Sequence, residues 1–221
     1  MKNVYIIFTL AAVSLASCKK EEEDKTKTTV TVETDSTIYT KPKADTAAAA
    51  PLDTVAMREA WEKYAAVGEQ HKMLAMEVGS YNDELTFWME PGAEPMKYKT
   101  ISETRMVLGG RFQETKYKGM VMDMPFEGIS TIGYNNISKE FASTWIDNTA
   151  TGMMILTGKY DDTTKAVTYI GEMPDPMAPG KMIKMRQVYT MVDKNTYKLE
   201  SYDIRDGVKE FKSMEIVRKR K

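Results

Sequence analysis

Everything after Gly79 reads as β-structure: about ten antiparallel strands running up and down and closed into a barrel, with a helical segment and a linker before them. Runs of aromatic, β-branched and Met-rich residues are cut at regular intervals by turn chemistry, at Pro91-Gly92, Gly109-Gly110, Asn135-Asn136, Asp161-Asp162, Pro174 to Gly180, Asp193 to Asn195 and Asp206-Gly207. All 13 glycines lie at or after Gly68, where bends need them. No helical stretch separates the runs, so nothing can serve as a crossover between parallel strands. Short connections make antiparallel neighbours, and closing such a meander removes its unpaired edges.

At the amino terminus, Lys2 supplies a positive start, Val4 to Val13 an apolar stretch too short to cross a bilayer, and Leu15-Ala16-Ser17-Cys18 an ending. The string resembles the lipobox of bacterial lipoproteins, with the chain's single cysteine where a nucleophilic sulfur is required. That resemblance implies removal of residues 1–17 as a signal peptide, a diacylglycerol on Cys18, and acylation of the new amino terminus by chains of the palmitate kind. Each buried CH₂ contributes about 0.8 kcal/mol, so several chains hold a protein on a membrane. The expectation is a lipid-anchored protein of the bacterial cell envelope. Lys19-Lys20-Glu21-Glu22-Glu23-Asp24 has no Asp directly after the cysteine, which argues for the outer membrane. A lysine followed by acidic residues also resembles the export signal of surface-exposed lipoproteins; a solvated charge run is the plain alternative.

Residues 18–52 form a linker by composition. From 19 to 52 there are eight Thr, an Ala47-to-Ala50 run and 13 charged residues, with Val30, Val32, Ile38 and Leu52 the large aliphatics. Burial cannot offset the ordering entropy of such a segment. Asp35-Ser36-Thr37, Asp45-Thr46-Ala47 and Asp53-Thr54-Val55 resemble a bacterial O-glycosylation sequon. The helical segment spans 53–78. Asp53 or Thr54 can cap a helix on which Met57, Trp61, Tyr64 and Ala65 recur at helical spacing up to a stop at Gly68, and a second short helix fits Glu69 to Met76.

The barrel occupies 79–221. Alternation is clearest in Lys181 to Asp193, with Ile183, Met185, Tyr189 and Met191 on one face and Lys184, Arg186 and Thr190 on the other. In Tyr197 to Arg205 the faces mix: Tyr197 and Leu199 precede Ser201 and Asp203. Either a bulge switches the faces or a polar group enters the barrel.

Composition excludes several function classes. Lys and Arg number 31 against 32 Asp and Glu, and the pI near 6.0 gives no field to hold nucleic acid. One His and one Cys cannot build a multi-ligand zinc or iron–sulfur site within one chain. There is no Gly-rich phosphate loop, no G-x-S-x-G elbow and no H-E-x-x-H, so an enzyme comes last among the readings.

The segments Gly68-Glu-Gln-His71-Lys-Met-Leu74, Gly79-Ser-Tyr81, Phe87-Trp88-Met89-Glu90-Pro91-Gly92, Leu108-Gly109-Gly110-Arg111-Phe112, Met124-Pro125-Phe126-Glu127-Gly128, Gly133-Tyr134, Ser143-Thr144-Trp145-Ile146-Asp147-Asn148, Gly171-Glu172-Met173 and Lys209-Glu210-Phe211 together resemble the domain-of-unknown-function family DUF1579 over about residues 60–218. The resemblance implies a bacterial, often secreted domain without an assigned activity, and a calycin-like barrel akin to fatty-acid-binding proteins and nitrobindins. Calycins commonly begin their first strand with Gly-x-Trp; Gly79-Ser80-Tyr81 departs from that.

A barrel of this size can hold a small apolar or amphipathic ligand in a Met- and aromatic-rich interior. Trp88, Trp145, Tyr189 and Tyr202 could line it, and Arg105, Arg111 or Arg186 could meet a carboxylate; a barrel arginine packed on a tryptophan near the closed end is the structural alternative. Asp147 and Asn148 are polar contacts or a strand end. His71, which matches the family's histidine, could be a base, a haem ligand or a structural contact; the structural role is favoured because no second histidine exists. No cofactor is expected. Methionine is the anomaly, 17 of 18 falling between Met57 and Met214. Met120, Met122 and Met124 would share one side of an extended strand as a Cu(I) candidate, although a Met-filled core or ligand cavity is the blander account. Arg218 to Lys221 reads as a solvated terminus. Besides a ligand-binding barrel, the reading keeps an envelope interaction module with a filled core.

Overall fold

The computed structural model describes residues 53–221; the expected signal peptide, Cys18 and the expected linker lie outside them. Two helices, α1 (Thr54–Ala65) and α2 (Glu69–Ala75), precede ten strands: β1 (Gly79–Phe87), β2 (Met96–Val107), β3 (Phe112–Val121), β4 (Met124–Asn135), β5 (Glu140–Asp147), β6 (Met154–Asp161), β7 (Ala166–Pro174), β8 (Met182–Asp193), β9 (Thr196–Ile204) and β10 (Phe211–Arg220). Each strand pairs antiparallel with its neighbour in sequence, and β10 pairs with β1, closing the barrel.

Asp53 caps α1, its side chain accepting from the N–H groups of Val55 and Ala56. Helical spacing of Met57, Trp61 and Tyr64 suggests a packed face, yet α1 buries no residue, and Trp61 is 63% exposed. The helix is held by its last turn. Asn136 Nδ2 reaches the carbonyls of Lys63, Tyr64 and Ala66, and Arg111 Nε donates to that of Ala65, satisfying acceptors that a helix end leaves open.

The shorter α2 is the element that plugs the barrel. Leu74 joins Ile132, Phe141, Leu156, Val167 and Tyr169 in a buried hydrophobic cluster, and Gln113 Nε2 donates to the Leu74 carbonyl at 2.9 Å. The barrel end at the start of β1 and the end of β10 is thereby shut. The opposite end, where β1–β2, β3–β4, β5–β6, β7–β8 and β9–β10 turn, carries no helix among the described residues.

The alternation of β8 stands: Ile183, Met185 and Gln187 are buried while Lys184 faces out. The mixed pattern of β9 comes from polar groups entering the barrel, because Ser201 and Asp203 are buried in phase with Tyr197. Register shifts flank β9 on both sides, between Lys212 and Met214 of β10 and between Met191 and Asp193 of β8. The interior is correspondingly less greasy than composition suggests: Asp83, Thr100, Ser102, Thr104, Gln113 and Thr115 all point inward and are buried.

Candidate functional site

Arg218 is the most consequential inward residue. Set in a basic run at the end of the chain, it reads as a solvated residue; the structure overturns that, leaving it 2% exposed on β10 opposite Asp83 of β1. A buried guanidinium needs partners, and five groups from three strands and the α2–β1 connection supply them. Nη2 donates to Thr104 Oγ1 at 2.7 Å and Ser102 Oγ at 3.3 Å; Nη1 donates to Tyr189 Oη at 3.1 Å and Glu77 Oε2 at 3.3 Å. Nε lies 3.6 Å from Asp83 Oδ1, an ion contact without a hydrogen bond. The plane of the group sits 4.3 Å over the Tyr81 ring. The structural alternative puts a barrel arginine on a tryptophan near the closed end; here Arg218 lies on a tyrosine, Tyr81, instead.

Glu77, between α2 and β1, accepts a hydrogen bond from the Tyr189 hydroxyl as well. Burial, opposed by Arg218, Tyr189 and Gln113, raises the Glu77 carboxyl above its ordinary range. Asp83 is likewise raised, by burial first and against the pull of Arg218, Ser102 and Thr100. Two carboxylates therefore share one guanidinium. The cluster ties the α2–β1 connection to β1, β2, β8 and β10 and seals that end of the barrel.

The mouth is built differently. On β3, β4 and β5, Tyr117, Phe126 and Trp145 face inward with the Trp145 ring 5.3 Å from Tyr117 and 6.2 Å from Phe126, the latter stacked. Gly128 makes this possible, since a Cβ there would overlap the Trp145 ring. The indole Nε1 donates to Asp147 Oδ2 at 2.6 Å. Burial works against the Asp147 charge, but the Thr149 hydroxyl, the Trp145 N–H and backbone N–H groups outweigh it and hold its carboxyl below the ordinary value. Asn148 links the next turn, accepting from the Glu127 N–H and donating to the Pro125 carbonyl. Across the same end, Phe87 packs on Tyr98 at 6.1 Å, and Asp203 accepts from Ser213 at 2.6 Å and Arg205 at 3.0 Å. Deeper in, Thr100 and Ser102 donate to Asp83 at 3.3 and 3.0 Å, and Gln187 Nε2 donates to Ser201 Oγ at 3.5 Å.

The residues singled out from sequence are scattered over these surroundings. Trp145 and Asp147 meet at the mouth, and Tyr189 belongs to the buried charge cluster at the other end. Tyr202 lies on the outer wall beneath Arg186, whose guanidinium is 4.0 Å above the ring and paired with Glu210. Trp88 follows β1, with Lys212 Nζ 5.1 Å above it. None of the three expected arginines faces the interior. Arg105 grips Glu114 through Nε and Nη2 outside, Arg186 is likewise outside, and Arg111 serves the Ala65 and Leu108 carbonyls. His71 is buried on α2; its Nδ1 accepts from the Gly68 N–H at 3.1 Å and its ring meets Tyr134 edge-on. Burial, and then Arg111, hold its pKa below 6.5.

The placement expected for Met120, Met122 and Met124 is corrected. Met122 and Asp123 make a tight turn, so the extended strand stops there: Met120 pairs with Pro125 and Met124 with Val121 on the returning strand. Side chains alternate along a strand, which sends Met120 to the outer face and Met124 to the inner one. The three thioethers do not share a side. Arg218, Glu77 and Asp83 escaped sequence reading altogether, since no local pattern marks a charge that turns inward. The one available hint was the polar phase of β9, which announces an interior with acceptors in it.

The family model described as a protein of unknown function (DUF1579) matches residues 66–220, which include α2 and all ten strands. No curated protein matches the chain. The chain belongs to the DUF1579 family.

Proposed function

Taking membership of that family as the premise, we propose that the barrel is a binding module for a small amphipathic molecule, taken in non-covalently through the mouth opposite the helices. The observation that carries this reading is the difference between the two ends. One is shut by α2, an apolar cluster and the Arg218 network; the other is bordered by Trp145, Phe126, Phe87 and Tyr98. Aromatic walls with few convergent polar groups are the usual composition of a small-molecule site. In this reading the ligand's polar end faces Gln187 and Ser201, and its apolar part lies against the mouth. Cys18 carries the acyl anchor, and the linker holds the domain near an envelope membrane.

Two experiments test the two halves. Native mass spectrometry of the full chain purified from its own membranes should show a non-covalent adduct that organic extraction removes; repeated recovery of bare protein argues against a ligand. Cys18→Ala should move the protein out of the membrane fraction, and unchanged fractionation argues against the anchor.

A further inference from the structure

The five turns at the helix-free rim each present an exposed apolar side chain: Met89, Met122, Met153, Met177 and Val208. Met177 is 83% exposed. These side chains are displayed by structured turns. The Met177 N–H donates to Asp175 Oδ1 at 2.8 Å, and Met122 and Asp123 occupy left-handed backbone, with φ of 52° and 60°. A two-residue hairpin turn of that kind favours Asn-Gly, and a side chain with a Cβ costs about 1–2 kcal/mol there. An exposed methionine is thus kept at a position that local energetics would give to another residue.

Charge on the same turns is one-sided. Glu90, Glu94, Asp123 and Asp175 make no ion pair with another described residue, and Lys209 is the one cation in these turns in the same condition. Such a rim repels an anionic bilayer and attracts cations. Ten strands spaced about 4.8 Å and tilted give a rim roughly 15–20 Å across, against about 10–12 Å for a helix with its side chains. Methionine adapts its shape to apolar partners, which suits it to gripping one face of an amphipathic helix.

We propose that the helix-free rim docks a single amphipathic helix of a partner protein, with its apolar face on the methionine tips and basic residues against the acidic turns. This does not rest on the ligand reading, because it uses the tips and not the interior.

The test is fluorescence anisotropy with a labelled amphipathic peptide of about 18 residues built from Leu and Lys, beside its Leu/Glu counterpart. The full chain is held in zwitterionic nanodiscs, and empty discs are the control. The Leu/Lys peptide should bind saturably at one per chain, weaken with salt, and lose about tenfold or more in affinity in the variant Met89→Gln/Met122→Gln/Met153→Gln/Met177→Gln. These positions are exposed, so that variant keeps its circular-dichroism melting curve. Equal binding of both peptides, or undiminished binding by the variant, overturns the proposal. So does self-association through the rim, seen in sedimentation and abolished by the variant, which would make a second copy the occupant.

Discussion

Arg218 holds two carboxylates and a tyrosyl hydroxyl where water does not reach. Arg218→Met should leave Glu77 and Asp83 as unpaired buried acids and cost about 3–5 kcal/mol in urea unfolding. Adding Glu77→Gln and Asp83→Asn removes the stranded charges and should recover most of that loss, because a buried ion cluster is often replaceable as a unit. A triple variant no more stable than the single one contradicts this assignment of the charge cluster. His71 gives a pH-dependent counterpart. Its folded pKa lies below 6.5, so the neutral ring is the form that folding favours. The stability it contributes is fully present above 6.5 and is lost as pH falls through the depressed folded value. Urea midpoints measured between neutral and mildly acidic pH should therefore fall less steeply in His71→Asn than in the parent.

Secondary elements show where the sequence is readable and where it is not. The period-two pattern of β8 is legible because one face meets solvent and the other the interior, and the turn dipeptides mark most strand ends. The β3–β4 turn is invisible because Met122-Asp123 is not turn chemistry, and so a broken strand reads as continuous. Spacing on α1 suggests burial that does not occur, since periodicity shows that a stripe exists and not what covers it. The turn supplies a direct check. Met122→Asn with Asp123→Gly should raise stability by about 1–2 kcal/mol through relief of the left-handed backbone, read as a higher urea midpoint. An unchanged or lower midpoint would mean that the Met122 side chain contributes contacts that offset the strain.

Over the whole barrel, closure joins residues far apart in sequence. Asp83 and Arg218 face each other only because β10 returns to β1, and that is why the ring of strands was legible from local patterns while its buried charge cluster was not. Closure also makes the ends unlike: charges and α2 fill one, while aromatic rings and methionines border the other. Trp145 reports on that second end. In a Trp61→Phe/Trp88→Phe background it is the remaining tryptophan of the chain, so its fluorescence can be followed alone during titration with an amphiphile brominated in its tail. A barrel that admits its ligand at this mouth should show saturable quenching of Trp145. Unquenched Trp145 at saturating amphiphile, with Trp61 quenched in the converse Trp88→Phe/Trp145→Phe variant, would place binding on the helix outside and contradict the barrel's role as a receptor.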